Sequence, residues 1–160
     1  MTKTADVTER VVVARTSDRS GTVGIIVMVV GAIFAVAGVV TYFVVSNELA
    51  NENITVSEDA TYFAGKDVTG PFTAYSEAET ISKHALEATG GKTYAELDRE
   101  DPLRETAMQA SFLRASLFTS VVAFGVAALA AVLGVMLFLI GWSLRGLGRA
   151  AAPSTTGALT

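Results

Sequence analysis

Cysteine is absent from the 160-residue sequence, and histidine occurs only once, at His84. Without cysteine the chain has no disulfide, no thiolate metal site and no cysteine nucleophile. A single histidine cannot supply the paired axial ligands of a transmembrane haem. The sequence also lacks a Gly-x-Ser-x-Gly motif, a phosphate-binding glycine loop followed by lysine, and a basic stripe suited to nucleic acid. We therefore expect no enzymatic activity, no cofactor, no nucleic-acid partner and no small-molecule substrate.

Charged residues are missing from two long apolar blocks of the sequence. The first covers residues 23–45, and the second lies between Arg114 and Arg145. The first block would form a helix of about 34 Å, and the hydrocarbon core of a bilayer is about 30 Å thick. A chain of this length cannot bury two such helices on all faces. The blocks therefore predict transmembrane helices at residues 23–45 and 116–144. The lack of ionisable groups inside them argues against a transporter or proton pump.

The charges outside the blocks indicate an orientation in the membrane. The segment 46–115 between the blocks carries six basic and thirteen acidic residues. The arginines nearest to the start of the first block are Arg15 and Arg19, and those that follow the second block are Arg145 and Arg149. Because short cytoplasmic segments are enriched in Lys and Arg, both termini are predicted to be cytoplasmic. The protein should then lie in the cytoplasmic (inner) membrane with an acidic extracytoplasmic loop.

The segments outside the apolar blocks differ in their predicted order. Residues 1–22 and 145–160 are polar and rich in small residues, which predicts two disordered cytoplasmic tails. The loop at residues 46–115 contains helix signals and few large apolar side chains. We therefore predict an all-α membrane protein, a two-helix transmembrane hairpin with a small helical extracytoplasmic loop.

Capping patterns divide the loop into short helical pieces. Ser76 to Glu79 and Thr93 to Glu96 each match a capping box, which predicts a helix start at each. Gly90 and the glycine after it are typical of a left-handed helix end. Asp101 followed by Pro102 resembles an N-cap and first-turn proline. No proline or glycine follows before residue 116, so residues 102–115 are predicted to be continuous with the second transmembrane helix.

Small residues recur every seven positions in both apolar blocks. This spacing keeps one stripe facing a neighbour, and small side chains let helices approach closely in lipid. Two shorter small-xxx-small pairs add Ala35 and reinforce Gly134. The pattern leaves open whether the helices pack on each other, on a second copy or on another protein. The predicted helix-packing residues are Gly24, Gly31, Ala35, Gly38, Ser120, Ala127, Gly134 and Gly141.

The loop holds the few residues with catalytic or metal-binding chemistry. The acidic residues from Asp98 to Glu105 flank a predicted helix start, where they complement the helix dipole. His84 has Glu87 as its one ligand-type neighbour at helical spacing. We interpret these groups as surface residues, so we predict no catalytic, cofactor or metal site.

Three stretches of the sequence carry a resemblance to a known family. They are ITVSEDATYFAGKDVTGP, KHALEATGGKTYAELDREDPLR and FLRASLFTSVVAFGVAALA. Residues 24–144 resemble a family of small actinobacterial two-span membrane proteins commonly labelled aromatic ring-opening dioxygenase, LigA-like. Such a dioxygenase needs a non-haem iron held by two histidines and a carboxylate, which one histidine cannot supply. The resemblance therefore implies an actinobacterial membrane protein rather than a ring-opening enzyme.

Three functions are compatible with these features. The leading hypothesis is a non-catalytic accessory subunit of a larger membrane protein complex, with the bilayer and larger integral membrane subunits as partners. Actinobacteria add small lineage-specific subunits to respiratory supercomplexes, so the resemblance makes such a complex the candidate setting. The first alternative is a scaffold or pore formed by self-association. The second is an extracytoplasmic enzyme or metal sensor that uses His84.

Overall fold

The computed structural model describes the backbone of residues 2–150 and the side chains of residues 21–147. Three helices follow one another along the chain: α1 (Thr2–Asn51), α2 (Pro71–Ala88) and α3 (Arg104–Ala150). The described residues contain no strand beyond one isolated antiparallel bridge. The described part of the chain is therefore all-helical, as the sequence predicted. The predicted tails, 1–22 and 145–160, lie largely outside the described side chains.

Two of the helices are long and apolar enough to cross a membrane. These segments are Gly21–Asn51 of α1 and Arg104–Leu147 of α3. Neither contains proline, so neither loses a backbone hydrogen bond along its length. α3 begins two residues after Pro102 and continues past residue 144, the predicted end of the second span. Only 17% of the most apolar stretch of each helix is buried within the protein.

The chain forms two compact units. The first unit consists of residues 1–37 and 130–160, and the second consists of residues 38–129. Helices α1 and α3 contribute residues to both units. In the first unit they contact each other directly through small residues, in antiparallel order along the chain.

The core of the second unit is shared by all three helices and the segment that precedes α2. Its largest fully buried side chains are Phe124, Val56 and Val68. Leu49 near the end of α1 and Leu117 of α3 pack into the same cluster. The segment between α1 and α3 has few large apolar residues of its own, so the side chains of these long helices complete its core.

Residues 54–68, here called the strap, fold back on themselves before α2. Thr55 and Asp67 form the isolated bridge. The Val56 amide donates to the Lys66 carbonyl at 2.8 Å, and the Val68 amide donates to the Ile54 carbonyl at the same distance. This pairing turns both buried valines of the strap toward the core.

Helix α2 starts five residues before the predicted capping box at Ser76. Gly70 is the N-cap and Pro71 occupies the first helical position, where its missing N–H costs nothing. The Thr73 hydroxyl oxygen accepts from the Gly70 amide at 3.2 Å. The prediction of a helix start at Ser76 is therefore wrong, because the earlier proline and threonine already cap the helix. Ser76 and Glu77 lie inside α2 and are buried.

The other predicted helix signals in the loop have mixed outcomes. Gly90 and Gly91 have φ values of 64° and 86°, as a left-handed helix end requires. The Thr93 amide donates to Glu96 Oε2 at 2.8 Å, which is the capping contact that the sequence predicted. This contact closes only a turn, so the predicted helix start at Thr93 is wrong.

Candidate functional site

The structure brings the predicted helix-packing residues of the first unit together in pairs. Gly24 of α1 lies against Gly141 of α3, and a Cβ added to Gly24 would sit 2.8 Å from the Gly141 carbonyl oxygen. A Cβ added to Gly141 would lie 2.5 Å from the Gly24 oxygen and 2.5 Å from the Met28 nitrogen. Contacts this close leave no room for a side chain, so only glycine fits at either position.

A second glycine pair lies two helical turns along the same contact. A Cβ on Gly134 would come within 2.6 Å of the Gly31 carbonyl oxygen, and it would also collide with the Ala35 backbone. A Cβ on Gly31 would lie 2.7 Å from the Gly134 oxygen and would overlap the Phe138 nitrogen. The backbones of α1 and α3 therefore touch at Gly31 and Gly134, with Ala35 beside them.

The remaining predicted packing residues belong to the second unit. Gly38 and Ala127 are buried, with Ala127 only 2% exposed. Ser120 is half-buried, and its hydroxyl donates to the Ser116 carbonyl of its own helix at 3.3 Å. Ser120 also lines a cleft of the second unit.

Of the four predicted orientation residues, only Arg145 has a described side chain, and it is half-buried beside Gly24. Arg15, Arg19 and Arg149 lie outside the described side chains.

His84 has a partner that helical spacing could not reveal. Its Nε2 lies 2.7 Å from Asp59 Oδ2 in the strap, 25 residues earlier in the chain. The Lys83 ammonium lies 3.4 Å from the same carboxylate oxygen. The His84 hydrogen bond, opposed by partial desolvation, lowers the pKa of Asp59 from its ordinary value of 3.8. These exposed contacts connect the strap to α2 at the protein surface.

A second tie between the strap and α2 is buried. The Ser57 amide donates to Glu77 Oε2 at 2.7 Å, and the Ser57 hydroxyl donates to Glu77 Oε1 at 3.1 Å. Glu77 is 6% exposed, so both carboxylate oxygens are satisfied within the protein. In the same region the Ser76 hydroxyl donates to the Tyr62 carbonyl at 2.6 Å. The buried Glu77 carboxylate therefore holds the strap against α2 through its two hydrogen bonds from Ser57.

Within the described side chains, no group of three or more His, Cys, Asp or Glu is arranged to hold a metal ion. The acidic residues Asp98, Glu100 and Glu105 are exposed. Asp101 is half-buried, and its carboxylate accepts from the Leu103 amide at 2.9 Å just before α3 begins. That contact is a local turn, which suits the start of a helix.

A cleft in the second unit is the feature that the sequence did not indicate. It has a volume of about 580 Å³ and opens between the last turns of α1, the middle of α2 and the start of α3's apolar stretch. Its walls are mainly apolar, and its polar groups are three glutamates and three hydroxyls. The residues that line it include Val44, Val45, Glu48, Glu52, Glu77 and Ala123.

No family model, curated protein or solved structure matches this chain. What the protein does must therefore be inferred from its own residues and contacts.

Proposed function

We propose that the chain is a two-span membrane protein that serves as a non-catalytic accessory subunit of a larger membrane protein complex. Its spans form a hairpin in the cytoplasmic membrane, with both termini in the cytoplasm and the acidic segment between them outside. The observation that carries this proposal is that glycines of α1 and α3 contact each other, while both helices leave long apolar surfaces exposed. The resemblance to small actinobacterial membrane proteins makes a respiratory supercomplex the candidate setting.

The exposed surface of the two long helices supports a membrane location. Large apolar side chains on them remain more than half exposed, for example Ile33 at 61%, Val36 at 63% and Val122 at 63%. A soluble protein rarely leaves a continuous apolar surface of this kind in water. A core helix of a soluble protein would instead bury most of that surface, and here 17% is buried.

Contacts of α1 argue against a cleaved leader as the explanation for its apolar stretch. Gly24 and Gly31 contact α3 at backbone distance. Removal of residues 23–45 would leave the small-residue face of α3 without its partner. These contacts support an uncleaved first span.

Hydroxyl groups within α3 are compatible with lipid because the helix satisfies them. The Thr119 hydroxyl donates to the Ala115 carbonyl at 2.8 Å, and the Ser143 hydroxyl donates to the Leu139 carbonyl at 3.0 Å. A hydroxyl bonded to its own helix needs no water, so it can lie in the hydrocarbon region.

Aromatic side chains of the second unit support a position near the boundary between lipid and water. Tyr75 stacks edge-on against Phe118 at 5.7 Å, and the Arg114 guanidinium lies 5.3 Å from the same ring. Phe72 is 74% exposed at the start of α2, and the Ser46 hydroxyl donates to the neighbouring Thr69 carbonyl at 2.7 Å. Aromatic rings and arginine together are typical of the boundary between lipid and water.

The packing of the small-residue stripes favours an accessory subunit over a self-associating scaffold or pore. A scaffold built on glycine contacts would need those glycines free to meet a second copy. Gly24, Gly31, Gly134 and Gly141 are already in contact within one chain. A pore would also need a polar face along the spans, and residues 23–45 contain no Asp, Glu, Lys, Arg or His.

The outward face of α3 offers a surface for a larger subunit. Gly125 is exposed, and a Cβ added to it would meet no other atom within 4 Å. Val122 and Leu129 lie one turn away on either side and are also exposed. A neighbouring helix can approach closely at such a position, because glycine removes the side chain that would hold it away.

Copurification tests the proposal directly. The full chain, tagged and extracted from native membranes in a mild detergent, should elute with larger integral membrane proteins that mass spectrometry identifies. Gly125→Leu should reduce that copurification while leaving the helical content unchanged. The matched control Thr119→Leu alters the same exposed helix without changing a glycine. A protein that elutes alone, or only with copies of itself, would contradict the proposal.

A further inference from the structure

The cleft of the second unit has the size and lining of a small-molecule site. Its volume of about 580 Å³ lies within the range of ligand pockets, and all of its lining residues belong to the second unit. Its walls are apolar side chains from three helices, among them Val45, Leu49, Ile81 and Leu117. An apolar ligand portion would therefore be removed from water on several sides.

The charged groups of the cleft are all negative. Glu48, Glu52 and Glu77 line it, and no lysine, arginine or histidine does. Glu77 is committed to Ser57 through both oxygens. Glu48 and Glu52 are exposed, and their side chains make no ion pair or hydrogen bond within the described part of the chain. They are four residues apart on one helix face, where two like charges repel each other.

The order of residues along α1 separates an apolar end from a charged end. Val44 and Val45 lie at one end of the cleft wall, Glu48 follows one turn later, and Glu52 follows one turn after that. A ligand that fills this cleft would place its apolar part beside the valines and a positive group beside the carboxylates. An anionic lipid headgroup would meet two unneutralised negative charges at the same place.

We infer that this cleft binds a small hydrophobic organic cation, with its apolar body against Val45 and Ala123 and its charge beside Glu48 and Glu52. No aromatic ring lines the cleft, so recognition of the charge depends on the carboxylates and not on a cation–π cage. The inference is independent of whether the protein is an accessory subunit, because it uses contacts within one chain.

A matched pair of probe ions separates charge recognition from simple partitioning. Tetraphenylphosphonium and tetraphenylborate have nearly the same shape and opposite charges. The full chain in phosphatidylcholine nanodiscs should bind tetraphenylphosphonium saturably by equilibrium dialysis, with one ion per chain above the level of empty nanodiscs. Tetraphenylborate should show no saturable excess over empty nanodiscs.

Variants locate the binding in the cleft. Ala123→Leu fills the cleft and should remove the saturable component, and circular dichroism melting checks that the helices persist. The double change Glu48→Gln and Glu52→Gln should weaken tetraphenylphosphonium binding about tenfold, since two exposed charge contacts are lost. The matched control, Glu58→Gln with Glu100→Gln, removes the same net charge outside the cleft and should leave the affinity unchanged.

Three results would overturn the inference. One is the absence of saturable tetraphenylphosphonium binding above empty nanodiscs. Another is equal binding of tetraphenylborate, which would indicate an apolar site filled by lipid chains. The third is equal weakening by the cleft variant and the control variant, which would indicate a general effect of surface charge. If Ala123→Leu unfolds the protein, the glutamine variants still decide the outcome.

Discussion

Single glycines determine how closely the two long helices approach. At Gly134 and Gly31 the opposing backbones occupy the space that any Cβ would need. At Gly125, on the same helix as Gly134, the equivalent space is open. The same substitution at these two glycines of α3 should therefore have different effects.

Gly134→Ala should destabilise the protein by roughly 1–3 kcal/mol, because the added methyl group forces α1 and α3 apart. Gly125→Ala should leave stability unchanged or raise it by up to about 1 kcal/mol, because the methyl group meets no neighbour and alanine favours a helix more than glycine does. Thermal melting of both variants in the same detergent, followed by circular dichroism, measures the difference. Equal melting temperatures would mean that the close contact between Gly31 and Gly134 does not exist in the folded protein.

The contact between Asp59 and His84 should make the strap sensitive to acid. The folded-state pKa of Asp59 is lowered by the His84 hydrogen bond, so the folded protein favours the ionised carboxylate. Its stabilising contribution is complete above the ordinary pKa of 3.8 and is lost as the pH falls through the lowered folded-state value.

Hydrogen exchange of the strap amides measures this effect. Protection of residues 54–68, corrected for the intrinsic exchange rate, should decrease as the pH is lowered below 3.8, the ordinary pKa of Asp59. In Asp59→Asn the acid-dependent loss should be smaller, because the side chain no longer titrates. An unchanged acid response in Asp59→Asn would show that another carboxyl group is responsible.

At the scale of the element, sequence patterns predicted the long helices well and the strap poorly. The absence of charge and proline is a local property, so it indicated two helices long and apolar enough to cross a membrane. The seven-residue spacing indicated small residues suited to close helix packing, but a stripe does not indicate its partner. The strap depends on contacts such as Ser57 with Glu77, which are 20 residues apart and leave no periodic signal.

The motif from Ser76 to Glu79 shows why a pattern of neighbouring residues did not predict the contacts of α2. Ser76 and Glu79 match a helix start when only neighbouring residues are considered. In the folded protein Ser76 and Glu77 face the strap, and the helix begins at Pro71. The cleft depends on side chains from three helices, so no single segment of sequence contains its pattern.

Glu77→Ala should destabilise the second unit by about 1–3 kcal/mol, because the buried Ser57 amide and hydroxyl lose their acceptor. Glu77→Gln should cost less, since its amide oxygen still accepts one of the two hydrogen bonds. The control Glu79→Ala removes a carboxylate of the same helix that only contacts the exposed Tyr75 hydroxyl at 3.2 Å. If Glu79→Ala destabilises the protein as much as Glu77→Ala, the buried tie is not the cause.

At the scale of the whole molecule, the apolar surface left after folding is the dominant feature. Within the described side chains it extends along both long helices, with Val36, Val122 and Leu129 among its most exposed residues. A bilayer and a neighbouring subunit can both cover such a surface. The proposed orientation then depends on the distribution of charge between the two ends of the protein.

Cysteine labelling tests the orientation, because the chain has no cysteine of its own. Thr61→Cys lies in the strap, and Thr156→Cys lies near the end of the sequence. A membrane-impermeant maleimide added to intact cells should label Thr61→Cys and should label Thr156→Cys only after lysis. Labelling of both variants in intact cells would contradict a hairpin with cytoplasmic termini.

The glycine contacts between α1 and α3 also have a consequence for biosynthesis. Gly24 and Gly31 lie near the beginning of the chain, and their partners Gly141 and Gly134 lie near its end. At a synthesis rate of about 5–20 residues per second, the first helix waits several seconds before its partner leaves the ribosome. In the proposed membrane protein, only lipid or the insertion machinery covers its glycine face during that interval. The close helix pair can therefore form only after α3 has been synthesised, and any protein that shields the first helix must release it when the second arrives.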